Sequence, residues 1–192
     1  MDEKKQIEIR WHARGGQGAK TAASLFADAL IYTGKYVQAF PDYGPERTGA
    51  PIRAYNRISN DEIRLHCTVY NPDILVVLDP TLLDKNIILG LKKEGIILIN
   101  TSKKSHEISK TLNLNEQNIY TIDASKIAKD LIGKNIPNTV VLGALVKILG
   151  LNFSKMIEAF EEKMEKKFKG KRGLAVKNIE AIKTAYKLME IK

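Results

Sequence analysis

Three glycines in four positions, Gly15-Gly16-Gln17-Gly18, separate an apolar-alternating stretch, Ile7 to Trp11, from a helix-periodic stretch that begins at Ala19. Strand, glycine turn and helix follow in that order. A backbone so bare of side chains takes positive φ without penalty and lets another surface approach it. The turn also leads into a helix N-terminus, where free N–H groups and the helix dipole favour anions. Whatever the remainder does, it has to fold around a βα corner of this kind.

The corner predicts more of the first forty residues. A helix over Ala19 to Thr33 carries Ala22, Leu25, Phe26, Ala29 and Leu30 on one face, and Gly34 is a fitting stop. Tyr36 to Phe40 reads as a second strand. Strand, helix and strand over so short a span predict a right-handed βαβ unit and a parallel pairing. Pro41 to Pro51 then holds three prolines and two glycines in eleven residues, too many for a regular element. It reads as an ordered loop with Asp42, Tyr43, Glu46, Arg47 and Thr48 as its polar groups.

Further along, Ile52 to Ser59 alternates, Asn60-Asp61 reads as a turn, and Glu62 to Cys67 as the return strand of a hairpin. Ile74 to Leu78 is a continuous apolar run of the sort found in buried central strands. Asp79-Pro80 closes it, with a short helix predicted near Thr81 to Asn86. Gly95 to Asn100 and Ile119 to Ile122 are two more strands, and Lys103 to Asn115 is polar and poorly patterned. Helices are predicted over Asp123 to Ile132, from an Asn138 or Thr139 cap to Leu149, and on the faces Phe153-Ile157-Phe160-Met164 and Ala175-Ile179-Ile182-Tyr186-Met189. The expected fold is a single α/β domain over residues 1–192, with a mixed, mainly parallel sheet, an antiparallel hairpin and helices concentrated C-terminally.

Composition narrows the chemistry. The one cysteine, Cys67, rules out an intrachain disulfide framework and a self-contained cysteine-ligated iron–sulfur cluster. It reads as a small buried hydrophobe on a strand. No apolar run approaches the roughly 20 residues of a membrane span, and no apolar leader is visible near the N-terminus, so the expected compartment is the cytoplasm. Net charge is +9, and residues 150–192 hold eleven Lys or Arg against six Asp or Glu. These lysines interleave with glutamates at helical spacing, which describes a solvated face better than a nucleic-acid footprint.

As a dinucleotide fingerprint the turn would read Ala13-x-Gly15-x-x-Gly18, with alanine at the first glycine. The acidic residue that should hold a ribose has only Asp42 as a candidate, beyond Pro41. A phosphate-binding Walker loop fails, because Ala19 separates Gly18 from Lys20. A tight turn used for close packing remains open beside both. His12, His66 and His106 have no partners at metal-ligand spacing, so no metal site is expected. His12 adjoins the turn, either as a hydrogen-bonded strand-end residue or as a contact to a ligand phosphate. Arg47, Arg53, Arg57 and Arg64 are four of the seven arginines. They suit either cross-strand ion pairs or recognition of phosphate and carboxylate. No catalytic acid–base pair or nucleophile emerges.

Two motifs together say more. Ala13-Arg14-Gly15-Gly16-Gln17-Gly18-Ala19, followed by Tyr43-Gly44-Pro45-Glu46-Arg47-Thr48-Gly49-Ala50-Pro51, resembles the gamma subunits of 2-oxoacid:ferredoxin oxidoreductases. The Pro-Glu-Arg-x-Gly-Ala-Pro form is most similar to that of the pyruvate-converting members. Tyr70-Asn71-Pro72-Asp73, Leu78-Asp79, Pro137-Asn138-Thr139 and Gly143-Ala144 extend the likeness, and Ala13 departs from it where many relatives have glycine. The resemblance implies a subunit without independent turnover, partnered by alpha, beta and delta chains that hold thiamine diphosphate and iron–sulfur clusters. It also implies a surface that contacts coenzyme A or a partner subunit, with Gly15, Gly16, Gln17, Gly18, Arg47 and Thr48 as the candidate contacts. A stand-alone NAD-dependent oxidoreductase, a gamma chain for another 2-oxoacid and a basic nucleic-acid-binding domain are the competing readings. The charge pattern and the lack of a membrane span argue against nucleic acid and membrane as partners.

Overall fold

The computed structural model describes residues 6–42 and 49–191. Its strands are β1 (Gln6–Arg14), β2 (Tyr36–Pro41), β3 (Pro51–Ser59), β4 (Ile74–Val77), β5 (Ile96–Asn100) and β6 (Ile119–Ile122). They form one sheet in the order β2-β3-β1-β4-β5-β6. β1, β4, β5 and β6 run parallel, while β3 is antiparallel to both β1 and β2. The helices are α1 (Ala19–Tyr32), α2 (Ser105–Leu112), α3 (Ala124–Ile132), α4 (Pro137–Ile148), α5 (Phe153–Lys167) and α6 (Arg172–Leu188). The mixed, mainly parallel sheet and the C-terminal concentration of helices match the expectation.

Two details of that expectation do not hold. β1 and β2 point the same way but are not neighbours, because β3 lies between them. The antiparallel component is therefore β3 itself, in register Trp11–Ala54 on one side and Phe40–Tyr55 on the other. Glu62 to Cys67 forms no strand. The physical reason is that both hydrogen-bonding edges of β3 are already taken, so this segment has no edge to pair with. It crosses the back of the sheet as an irregular strap instead, and Cys67 is exposed rather than buried.

Smaller differences have equally local causes. The predicted short helix is a single 3-10 turn, Pro80–Leu82, capped by Asp79. The poorly patterned Lys103–Asn115 stretch contains α2, which buries only Ile108 and Leu112 and so shows little periodicity. Asn138 and Thr139 do not cap α4. Pro137 takes the first helical position, which its fixed φ favours, and places both residues inside the helix.

The two faces of the sheet differ. Ile9, Trp11, Ala54, Val76, Leu98 and Tyr120 look towards α1, α3, α4, α5 and α6 in one large core. A buried polar link ties three elements there: Trp11 Nε1 donates to Asn56 Oδ1 at 2.8 Å, and Asn56 Nδ2 donates to the Ala23 carbonyl at 2.9 Å. α4 and α6 cross at Gly143, where an added Cβ would meet the Ile182 carbonyl oxygen at 2.0 Å. On the back, Leu75, Val77, Ile97, Ile99 and Ile119 pack with Ile87, Ile108 and Leu112 in a smaller core. The β1–β3 half of the back carries Arg10, His12, Tyr55 and Arg57 instead, all buried.

Candidate functional site

The carboxyl ends of β1 and β4 and the start of β3 meet at one edge of the sheet, the edge where parallel sheets place their ligands. The glycine turn lies there. Gly16 and Gly18 have φ of 94° and 80°, and Gly18 is the N-cap of α1 without a side-chain cap. Gln17 fixes the shape of the turn. Its N–H donates to the Arg14 carbonyl at 3.0 Å, and its side-chain oxygen accepts from the Arg14 N–H at 2.8 Å. Its side-chain amide donates to Asp79 Oδ2 at 2.7 Å.

Asp79 anchors the turn to the end of β4. Oδ1 accepts from the Thr81 N–H at 3.0 Å and from the Thr81 hydroxyl at 2.7 Å. Arg14 Nε lies 3.3 Å from Oδ2, and the same guanidinium donates to Thr81 Oγ1 and to the Gly49 carbonyl. Burial by itself would raise the Asp79 carboxyl. The hydrogen bonds from Thr81 and Gln17 and the Arg14 charge outweigh it and hold the group below its usual value. A carboxylate so fully engaged is a structural anchor rather than a free base.

The second loop comes up against this turn. The Gly15 N–H donates to the Ala50 carbonyl at 2.8 Å, and the Gly49 N–H donates to the Gly15 carbonyl at 3.1 Å. Residues 49–50 thus extend the β1–β3 ladder past the end of β1. In a dinucleotide-binding unit the strand after the first helix lies in that position, and here β3 occupies it. Asp42, the candidate ribose ligand, accepts from the Tyr55 hydroxyl at 3.0 Å.

Of the sequence candidates, Gly15, Gly16, Gln17 and Gly18 sit together on this edge. Gly16 is exposed, and an added Cβ would meet nothing within 4 Å. Neither the Gly16 nor the Gly18 N–H has an acceptor among the described residues. Arg47 and Thr48 lie outside the described residues, as do Tyr43 and Glu46. Arg57 is not at the site: it is buried, donating to Glu8 Oε1 at 2.8 Å and to the Cys67 carbonyl. Arg64 pairs with Glu62 in solvent.

Sequence reasoning missed two participants. Asp79 was visible as a strand-closing residue and in the Leu78-Asp79 motif, without a role at the turn. Asn138 was quoted in a motif but read as a helix cap. Its Nδ2 donates to the Gly18 carbonyl at 3.2 Å, and it would be 2.3 Å from a Cβ on Gly18. Gly18 is glycine for that reason as well as for its φ.

Behind the turn, on the back of the sheet, a cavity of about 560 Å³ is lined by His12, Asp42, Pro51, Arg53, Asp84 and Asn86 among others. Arg10 Nε donates to His12 Nε2 at 3.0 Å, and its terminal nitrogen donates to the carbonyls of Ile87 and Leu89. Accepting at Nε2 makes His12 a neutral imidazole with its proton on Nδ1. Burial, then the charges of Arg10 and Arg53, push its pKa down to about 3.

The chain matches known proteins over nearly its whole length. Residues 8–188 match the family model described as pyruvate ferredoxin/flavodoxin oxidoreductase. The chain is 50% identical to the pyruvate synthase subunit PorC of Thermotoga maritima over 165 residues, covering 86% of this chain and 84% of that one. It is 45% identical to the common gamma subunit of the pyruvate/ketoisovalerate oxidoreductases of Pyrococcus furiosus, covering 96% and 98%. The crystal structure of the Thermotoga maritima pyruvate oxidoreductase subunit PORC superposes with a TM-score of 0.84, covering 97% of this chain and 98% of that chain.

Proposed function

The chain belongs to the pyruvate ferredoxin/flavodoxin oxidoreductase family as a gamma-type subunit of a 2-oxoacid:ferredoxin oxidoreductase, and on that premise we propose that it serves a pyruvate-converting enzyme in the cytoplasm. The reaction would join pyruvate, coenzyme A and oxidised ferredoxin to give acetyl-CoA, carbon dioxide and reduced ferredoxin. In this reading residues 1–192 are one gamma domain, and alpha, beta and delta subunits hold the thiamine diphosphate and the iron–sulfur clusters. The gamma chain contributes a docking surface, not the reacting groups.

The observation that carries the reading is the glycine turn, exposed at Gly16 and held in shape by Gln17 and Asp79, whose Gly16 and Gly18 N–H groups have no acceptor among the described residues. Backbone donors at the start of a 14-residue helix suit the phosphates of coenzyme A or the carbonyls of a partner chain. They offer no base, nucleophile or redox group. Relatives named for pyruvate support the substrate assignment. The Pyrococcus furiosus relative is named as common to pyruvate and ketoisovalerate enzymes, which favours a chain that leaves the 2-oxoacid side chain to its partners.

Copurification with a tagged chain and assay of coenzyme A-dependent pyruvate oxidation with a dye acceptor test this. The expected result is turnover only in the assembled complex. Gly16→Asn, which tolerates positive φ, and the bulkier Gly16→Val are expected to raise KM for coenzyme A or lower assembled yield. Turnover by the isolated chain, or wild-type KM and yield in both variants, would overturn the assignment of the turn.

A further inference from the structure

We propose that the cavity behind the turn binds a small anion, a phosphate or a carboxylate group, held by the Arg53 guanidinium and the His12 Nδ1–H, with Arg10 as the positioning residue. The site lies behind the glycine turn and requires no contact between coenzyme A and that turn.

The first support is that two guanidiniums at this place have no ion pair among the described residues. Arg10 is buried, and its hydrogen bonds go to a neutral imidazole and two backbone carbonyls. Arg53 lines the cavity beside the Tyr55 hydroxyl. Neither guanidinium has a carboxylate at ion-pair distance among the described residues. A buried cation without a counterion is costly, and an anion in the cavity would supply one. Two carboxylates, Asp42 and Asp84, also line the cavity, each accepting hydrogen bonds from neutral donors. Asp84 accepts the N–H groups of Asn86 and Ile87 at 2.9 Å each, and Asp42 accepts the Tyr55 hydroxyl.

The second support is the fixed tautomer. Arg10 occupies Nε2 of His12, so Nδ1–H is the remaining polar group of a ring that lines the cavity. The field at that ring is set by Arg10 and Arg53 ahead of Asp84, which favours an anion at the donor. Arg10 also ties down the wall of the cavity, since it holds the carbonyls of Ile87 and Leu89 in the loop that supplies Asp84 and Asn86. The remaining walls are apolar, Pro51, Ile52 and Leu82 among them, and apolar walls around convergent polar groups are the usual form of a small-ligand site.

The test is a titration of the full-length, ¹⁵N-histidine-labelled chain with inorganic phosphate and, separately, acetate, at ionic strength held constant with chloride. A saturable shift of the His12 resonances is expected with at least one probe, and Arg53→Ala is expected to weaken it about tenfold. Stronger binding of phosphate assigns a phosphorylated ligand, and stronger binding of acetate a carboxylate ligand. His12→Asn, which keeps a donor near the Nδ1 position, is expected to retain more binding by calorimetry than His12→Phe, and Gly16→Asn to retain all of it. No saturable shift with either probe, or an unchanged affinity in Arg53→Ala, would overturn the proposal. Arg53 is exposed, so that variant carries the test even where a substitution at the buried His12 impairs folding.

Discussion

Gln17 and Asp79, 62 residues apart in sequence, meet through a 2.7 Å hydrogen bond that joins the glycine turn to the end of β4. Because Gln17 also accepts from the Arg14 N–H, one side chain holds both limbs of the turn. Gln17→Ala should cost roughly 1–3 kcal/mol, since Asp79 keeps its charge while losing a donor. Urea unfolding of the isolated chain measures this, and an unchanged midpoint would mean that the turn keeps its shape without the link.

Asp79 also predicts a pH response. Its carboxyl is held below the usual carboxylate value in the folded chain, so the folded state prefers the ionised form. That contribution is complete above the unfolded carboxylate pKa and disappears as pH falls through the folded one. Thermal stability in the acid range should therefore fall less steeply in Asp79→Asn than in the wild type, although the variant is less stable at neutral pH. Parallel slopes would show that the carboxylate is not differentially stabilised.

His12 gives a response in the same direction by a different route. The folded chain holds the imidazole neutral, with a pKa of about 3 against 6.5 for the free side chain. Its contribution is present above 6.5 and is lost progressively as pH falls towards 3. ¹⁵N spectra at pH 5 should show His12 neutral and protonated at Nδ1. An imidazolium signal at that pH would disprove the buried Arg10–His12 arrangement.

Gly143 tolerates no side chain. Alanine there would press on the Ile182 carbonyl oxygen, at 2.0 Å, and on the Tyr186 nitrogen, at 2.9 Å. Neither atom can turn aside as a side chain would, so α4 and α6 have to separate. Gly143→Ala should lose about 2–3 kcal/mol, visible as a lower Tm. A wild-type Tm would require the two helices to part at no cost.

Glu8 neutralises Arg57, whose side chain is 1% exposed. Removing one member of a buried pair leaves the other charge stranded, so Glu8→Ala should cost about 3 kcal/mol. The double variant Glu8→Met with Arg57→Met should recover a large part of that loss. Equal destabilisation in single and double variants would assign the effect to packing rather than to charge.

The buried strands were legible in the sequence because their apolar runs are nearly unbroken: Ile74 to Leu78 and Gly95 to Asn100 fall on β4 and β5 to within a residue. The hairpin was misread because alternation records that a segment has two unlike faces, not that a pairing edge is free. Glu62 to Cys67 alternates without a partner strand, and Pro51–Ser59 alternates with two. The glycine turn announced itself, since its positive φ at Gly16 and Gly18 favours glycine. Its anchors did not, because Asp79 and Asn138 reach it from 62 and 120 residues away and carry no local signature.

Placing β3 between β1 and β2 has a consequence for how the chain is made. A nascent chain that ends at β2 has no edge against which either strand can pair, and the ladder on that side begins only when Pro51–Ser59 arrives. The face holding Trp11, Val76 and Leu98 waits longer still, because α4, α5 and α6 are synthesised last. Most of the sheet therefore leaves the ribosome with α1 in place but before its cover is complete, an interval in which exposed strands are open to aggregation and to chaperones.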